Sequence, residues 1–425
     1  MAEQIGLVLL CAFMTLVLIN IPIATALAMG SIATMFIFDI SFSVYADIVI
    51  TGFQKFTLLA VPLFILSGIV MDRAKISDDI VQFVSLIIGA LPGGLMIVSI
   101  IVLMFWGAIS GSGPATVAAL GAVLIPAMVK QGYPAGLSAA SVASAGGMAV
   151  VIPPSIPLVV YGVLANVSIG DLFLAGIVPG VMIGLFMILF VIGVSIVKGY
   201  KGQKQGTLIE ILKSFRKAIF GLLTPVIILG GIYGGIFTPT EAAAVAVIYS
   251  LFVGMVINRA IKFRDLPRIL ADASTTSGSI LIIIANAGFM TWLITSRGVA
   301  AVGAKALLSV SDSQLVIILL MEVILLIAGL FIDGTSILYL FVPILLPVVK
   351  QVGLDPIWFG VMASMAISVG MATPPVAVNL YPACRIANIS LFDISKYVWP
   401  FVASGLLALL LVALFPRIIL FILAL

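Results

Sequence analysis

The chain has 425 residues, 63% of them apolar and only 8% charged, with a formal charge of +4. A soluble globular protein carries roughly 25% charged residues, so this composition excludes one. The small positive balance gives no reason to expect nucleic acid as a partner, because the basic residues fall in short loops between apolar runs.

At the N-terminus, Met1-Ala2-Glu3-Gln4 has no basic leader, and the apolar run behind it leads into more membrane sequence. A first span is expected there rather than a cleaved signal peptide. Apolar segments run at 5–19, 21–38, 57–72, 93–110, 114–130, 135–164 and 171–197. A basic stretch at 198–217 precedes a second series at 218–236, 240–258, 276–296, 314–332, 335–350, 357–384 and 396–424. Many reach the roughly 20 apolar residues that cross a bilayer core, and the alternating strands of a membrane barrel are not seen. The fold class is therefore an all-α polytopic membrane protein. The polar stretches 39–56 and 73–90 leave room for interfacial helices. Ser77-Asp78-Asp79 before Ile80-Val81 reads as a helix start with acids in its first turn.

Segments 93–110 and 114–130 are separated only by Gly111-Ser112-Gly113, and 314–332 and 335–350 only by Asp333-Gly334. Each pair is read as a re-entrant hairpin turning back at mid-membrane; the alternative is two full spans joined by a tight loop. Charge placement favours the hairpins. With the N-terminus outside, only Lys55, Arg297, Lys305, Lys350 and Arg417 of the 20 Lys and Arg face out, and the other fifteen face the cytoplasm. Each half then has five spans, one hairpin and one Pro-Pro-broken helix. The odd number of crossings makes the halves inverted repeats, with hairpin one entering from the cytoplasm and hairpin two from outside. The expected division is 1–92 as scaffold spans and interfacial helices of repeat 1, 93–200 as transport module 1 and 201–217 as a cytoplasmic basic linker. Residues 218–310 follow as scaffold of repeat 2, and 311–425 as transport module 2.

The repeat is legible in the residues. Ile152-Pro153-Pro154-Ser155 recurs as Thr373-Pro374-Pro375-Val376, 221 positions on (152 to 373), and Asn166-Val167-Ser168 recurs as Asn388-Ile389-Ser390. Broken hydrophobic segments at corresponding places in two halves point to the binding site of a secondary transporter. There is no histidine, which removes Ser-His-Asp and Cys-His catalysis, HExxH zinc chemistry and histidine proton relays. No catalytic residue is expected, and the chain is not read as an enzyme. Cys11 and Cys384 sit singly in apolar runs and read as small core residues.

At Ser110-Gly111-Ser112-Gly113-Pro114-Ala115-Thr116 the glycines permit a sharp reversal, and Pro114 suits the start of the returning helix. Such a tip presents a positive helix N-terminus beside the negative C-terminus of the preceding helix, so it can serve an anion and a cation. Two consecutive prolines in mid-segment free upstream carbonyls, which need partners at low dielectric; a sodium ion held by carbonyls and hydroxyls supplies one. The first sodium site is expected from Ser110, Gly111, Ser112 and Gly113 with Ala145, Gly147 and Ala149. The second is expected from Asp333, Gly334 and Thr335 with Gly370, Met371 and Thr373. Substrate contacts are expected from Ser112, Thr116, Pro154, Ser155, Ser336, Pro375 and Asn379, with Tyr381 as a further polar candidate. Asp333 could cap the returning helix or ligate a cation, whereas Glu241 reads as a capping acid and Glu322 has no obvious partner. No Arg or Lys falls in the break regions.

Gly111-Ser112-Gly113-Pro114-Ala115-Thr116-Val117-Ala118-Ala119, Pro153-Pro154-Ser155-Ile156-Pro157, Asp333-Gly334-Thr335 and Thr373-Pro374-Pro375 together resemble the large membrane subunit of tripartite ATP-independent periplasmic (TRAP) transporters, over nearly the whole chain. The resemblance implies an ion-transporter-superfamily fold, an elevator mechanism and sodium as coupling ion, with no other cofactor. It also implies a place in the bacterial inner membrane among lipid, a small four-helix membrane subunit and a periplasmic substrate-binding protein. No extra spans precede the first, so a separate small subunit is expected. The substrate is expected to be a small carboxylate-bearing solute, with sialic acid first and a C4-dicarboxylate or 2-oxo acid next. A stand-alone sodium/carboxylate symporter of the same superfamily is the alternative, although its usual Ser-Asn-Thr tips are missing. An ion channel is a remote one. An intramembrane protease lacks its histidine or its Tyr-Asp and Gly-x-Gly-Asp strings.

Overall fold

The computed structural model describes residues 1–19, 21–203 and 205–423, and among them every regular element is helical. In the first half these are α1 (Ala2–Leu18), α2 (Ile23–Ile37), α3 (Phe42–Phe53), α4 (Ala60–Arg73), α5 (Ile76–Ile88), α6 (Gly94–Ser110), α7 (Gly113–Lys130), α8 (Ala135–Gly146), α9 (Ile156–Ala165) and α10 (Ile169–Lys198). The second half holds α11 (Leu208–Tyr233), α12 (Pro239–Phe252), α13 (Leu266–Ser296), α14 (Val299–Leu308), α15 (Gln314–Phe331), α16 (Gly334–Gln351), α17 (Pro356–Gly370), α18 (Leu380–Ala387), α19 (Leu391–Leu414) and α20 (Arg417–Leu420). Nine helical segments among the described residues are long and apolar enough to cross a membrane.

Local chemistry sets most boundaries. α11 and α12 each open on a capping box, Thr207 with Glu210 and Thr238 with Glu241. Glu241 is thus a cap, as its sequence context suggests. The first box starts α11 at Leu208, ahead of the apolar run expected from 218, so the last part of the basic stretch is helical. α13 likewise starts at Leu266 rather than 276, with Pro267 in its first turn. α14 was not expected from hydropathy. The last apolar run, expected as 396–424, starts earlier behind the Ser390 cap and stops at Leu414, before Pro416. The polar stretches do contain helices α3 and α5. α5 starts at Ile76 behind Lys75, whose φ is 59°, rather than behind Ser77, although Asp78 and Asp79 do lie in its first turn.

The halves echo each other in detail. α9 and α18 end on Asn166 and Asn388, with φ of 55° and 53°. Ser168 and Ser390 then cap α10 and α19 by accepting from the N–H of Asp171 and Asp393. Both Pro153–Pro154 and Pro374–Pro375 are cis. Packing between the halves is reciprocal: α7 lies on α18 while α16 lies on α9, and α8 lies on α19 while α10 lies on α17. Within each half the outgoing hairpin arm packs on the first part of the broken helix, α6 on α8 and α15 on α17. Around this block α4 packs on α12, α1 on α2, and α13 on α2, α3 and α16.

Apolar helices gain nothing from burial against one another in lipid, so close packing and internal hydrogen bonds must hold them together. Tyr161 of α9 shows both. Its ring lies where Gly360 of α17 leaves room, since a Cβ there would stand 2.3 Å from the ring. Its hydroxyl donates to Pro356 O at 2.5 Å. Removing the ring would leave a cavity at this close contact, and an interhelical hydrogen bond adds about 1 kcal/mol, so packing and hydrogen bond act together at this joint.

Candidate functional site: a four-way junction of two tips and two breaks

The first tip is a two-residue reversal. Gly111 ends α6 at φ 60°, and extended Ser112 precedes α7. Ser110 closes the tip: its Oγ donates to Ser112 O at 3.1 Å, accepts from Ser112 N at 3.2 Å and pairs with Thr116 Oγ1. The Ser112 side chain does not cap α7. The partial positive charge of that helix end, its unpaired N–H groups and the half-buried Ser112 hydroxyl are left for a ligand.

The second tip differs at the corresponding residue, Asp333. Its Oδ1 accepts from the N–H groups of Thr335 and Ser336 at 3.0 and 3.2 Å, and its Oδ2 from Ser336 Oγ at 2.6 Å. Asp333 therefore caps α16 and neutralises its N-terminus; its Oδ2 keeps a lone pair for a cation. The two tips are electrostatically unlike: the first favours an anion, the second a cation.

In the first break α8 passes through a 3-10 turn, Gly147–Val150, before Pro153–Pro154. Ser155 is fully buried; its Oγ donates to Val150 O at 2.7 Å and accepts from Leu158 N, so it restarts α9 and ties the break together. In the second break Thr373 Oγ1 donates to Val369 O at 2.7 Å. Ala377, at φ 53°, donates its N–H across to Leu330 O of α15 at 3.0 Å.

Close approaches at glycine bring the four pieces together. A Cβ on Gly111 would stand 3.1 Å from Ile156 N, and one on Gly113 2.8 Å from Asn379 Oδ1 in the other half. One on Gly147 would stand 2.8 Å from Ser368 O and 3.4 Å from Asn379 Nδ2, and one on Gly334 3.5 Å from Pro157 Cγ. In each half an outgoing arm meets a broken helix almost backbone to backbone: Gly107 against Ala149, and Gly329 against Gly370.

Asn379 is the centre of this junction. It is fully buried, and its Nδ2 donates to Ala143 O in the other half at 3.2 Å. Its Oδ1 has no partner, and neither does the buried Oγ of Ser144 beside the first break. An unpaired buried acceptor costs about 1–3 kcal/mol. An oxygen-only set of hydroxyls, amide oxygen and carbonyls suits a hard cation of the sodium type.

The expected site residues thus fall into groups. Ser110, Gly111, Ser112 and Gly113 meet the segment holding Ala145, Gly147 and Ala149. Asp333, Gly334 and Thr335 approach Gly370, Met371 and Thr373 through the Gly329–Gly370 contact and the Leu330–Ala377 bond. Of the expected substrate contacts, Pro375 is exposed and Ser112 half-buried, whereas Thr116, Pro154, Ser155, Ser336 and Asn379 are buried. The hydroxyls of Thr116, Ser155 and Ser336 are engaged within the chain. Sequence reasoning did not single out Ser144, Ser368 or Arg385 for the site. Arg385 and Tyr381 line a cavity of about 370 Å³ with Ala118 of α7, which places a cation one helix away from the first tip. Its signal was an arginine on the continuation of a broken helix. Glu322 is buried with an unpartnered Oε1.

This is the fold of a multi-pass transporter. It is shared with the solved YdaH transporter of Alcanivorax borkumensis, at TM-score 0.61, 14% identity and 86% of each chain, and with MtrF of Neisseria gonorrhoeae, at TM-score 0.59, 17% identity, 86% of this chain and 82% of that one. A family model described as "Tripartite ATP-independent periplasmic transporter, DctM component" matches residues 10–418, and the chain belongs to that family of large TRAP permeases, which are transporters and not enzymes. It is 33% identical to the C4-dicarboxylate TRAP transporter large permease protein DctM of Rhodobacter capsulatus, over 97% of each chain. It is 36% identical to the sialic acid TRAP transporter large permease protein SiaM of Vibrio cholerae, over 86% of each. With the isethionate TRAP transporter permease protein DctMQ of Oleidesulfovibrio alaskensis it shares 39% identity over 96% of its own length, and it spans 65% of that relative. Permeases of this family sit in the bacterial inner membrane and work with periplasmic binding proteins and small membrane subunits.

Proposed function

We propose that this chain is the permease of a sodium-coupled uptake system for a small organic anion, delivered by a periplasmic binding protein and carried with the help of a small membrane subunit. The observation that carries the reading is the junction itself. Asn379 joins the two halves between Gly147 and Gly113, at the uncapped N-terminus of α7, and the acidic tip reaches the first break through Gly334 against Pro157. The acid group of the substrate is held by the first-turn N–H groups of α7 and the Ser112 hydroxyl, with Arg385 drawing anions into the adjoining cavity. Sodium ions take the hydroxyls, carbonyls and amide oxygen around the two breaks and neutralise the anion in a dry place.

The hairpins are re-entrant and the halves inverted in this reading. The four broken pieces move as one block against the scaffold of α1 to α4 and α11 to α13, in the manner of an elevator. Support comes from the reciprocal packing of α7 on α18 and α16 on α9, which makes the block continuous across the halves. The substrates in the names of relatives are all organic acids: isethionate, C4-dicarboxylate, 2,3-diketo-L-gulonate and sialic acid. The class proposed is therefore a small carboxylate or sulfonate, with sialic acid one member of it.

The test is uptake of radiolabelled organic acids into proteoliposomes holding this chain, its small subunit and its binding protein, with each component omitted in turn. The complete set should take up one acid, and omission of the binding protein should reduce uptake to background. Rapid uptake by this chain alone would contradict the proposal and favour a stand-alone symporter.

A further inference from the structure

A large cavity lies away from the junction. It is about 970 Å³, walled by α5, the first turns of α11 and the segment after α12, and it is lined by Lys75, Lys213, Arg216 and Lys217 with Asp79 and Glu210. The four cations outnumber the two acids. Glu210 caps α11, its Oε2 accepting from Thr207 N and Oγ1 at 2.7 and 2.8 Å. Burial pushes the Asp79 carboxyl up, with Lys217 pulling it back. Among the described residues Lys75, Lys213 and Arg216 make no ion pair. Ser214, 4% exposed, also lines the cavity, and its Oγ has no hydrogen-bond partner.

Helix length places this cavity. α11 has 26 residues, which make about 39 Å of helix against about 30 Å of hydrocarbon core. Its charged first turns therefore stand at the headgroup layer. On another face of the same turns Leu208, Ile209, Leu212 and Phe215 are 71%, 65%, 58% and 40% exposed. A free phosphate has no use for an apolar stripe beside its site, whereas a lipid covers one with its chains.

We propose that this cavity binds the headgroup of an anionic phospholipid, whose acyl chains lie along the apolar stripe of α11. Basic pockets between helices at the membrane surface suit such headgroups. The occupant would brace α5 against α11. The linker already ties the two helices: Gln203 N donates to Gly89 O at 2.6 Å and Gly206 N to Leu86 O at 3.3 Å, at the end of α5. α5 in turn packs on α6, the outgoing arm of the first hairpin. The site thus lies at the foot of the transport block and does not depend on which acid is carried.

The test is native mass spectrometry of the full chain in detergent, titrated with phosphatidylglycerol, phosphatidylcholine or inorganic phosphate. One phosphatidylglycerol should be retained in preference to phosphatidylcholine, and inorganic phosphate should not displace it. Lys213→Ala with Lys217→Ala should weaken retention about thirtyfold, at roughly a factor of five for each cation removed. Each single variant should weaken it in part, and Lys213→Arg should restore it. Equal retention of the two lipids by the unaltered chain would overturn the proposal without recourse to any variant. So would displacement by phosphate, or loss of the lipid when the small subunit is added.

Discussion

Asn379→Leu is expected to abolish uptake while leaving a folded protein in the membrane. Leucine keeps the branching and heavy-atom count of asparagine, but its methyl groups are bulkier than the amide, so the fit between Gly113 and Gly147 tightens somewhat. The structural loss is one interhelical hydrogen bond, to Ala143 O, on the order of 1 kcal/mol in a membrane protein. The functional loss is larger, because the Oδ1 is buried without a partner in the chain. If a cation or the substrate takes that oxygen, its removal costs a charge-assisted contact of about 1.5–3 kcal/mol, or roughly tenfold to hundredfold in affinity. Thermal stability and uptake should therefore separate: a melting temperature lowered by a few degrees beside uptake near background. Uptake close to wild type would remove Asn379 from the site.

Gly370→Val is expected to damage the fold itself. A Cβ at Gly370 would stand 2.7 Å from Gly329 Cα and 3.0 Å from Leu326 O, both backbone atoms that no rotamer change can move. α15 and α17 must part, and overpacking of this kind costs about 1–3 kcal/mol and sometimes more; backbone contact puts it at the upper end. Thermal stability in detergent and uptake should fall together. Gly278→Ala in α13 is the control, since nothing lies within 4 Å of the added Cβ and alanine gains about 1 kcal/mol of helix propensity. Equal stability of the two variants would refute the close contact.

Much of the fold is legible in the residues because its signals are local. Glycine and proline mark the tips at Gly111 and Gly334 and the breaks at Pro153–Pro154 and Pro374–Pro375. Ser168 and Ser390 announce helix starts three residues ahead of Asp171 and Asp393. What escapes a local reading is what contacts decide. The reciprocal packing of α7 on α18 and α16 on α9 joins residues at least 169 positions apart (165 to 334 at the nearest). No periodicity records that Asn379 reaches Ala143. Nor does residue type separate a tip serine that leaves its helix uncapped, Ser112, from a tip aspartate that caps, Asp333. The start of α11 was hidden for another reason. Its charges alternate with Leu208, Leu212 and Phe215 on separate faces, so mean hydropathy falls where the helix has already begun.

Sodium dependence of uptake is the most direct measurement of the central claim. In proteoliposomes with the complete set of subunits, at a constant proton gradient, replacing sodium by potassium should collapse uptake. Ser112→Ala, which weakens the hold on the anion that binds together with sodium, and Thr373→Ala, at the second break, should each raise the sodium concentration needed for half-maximal uptake while leaving the amount of protein unchanged. Uptake driven equally well by a proton gradient alone, or wild-type sodium dependence in both variants, would contradict the account.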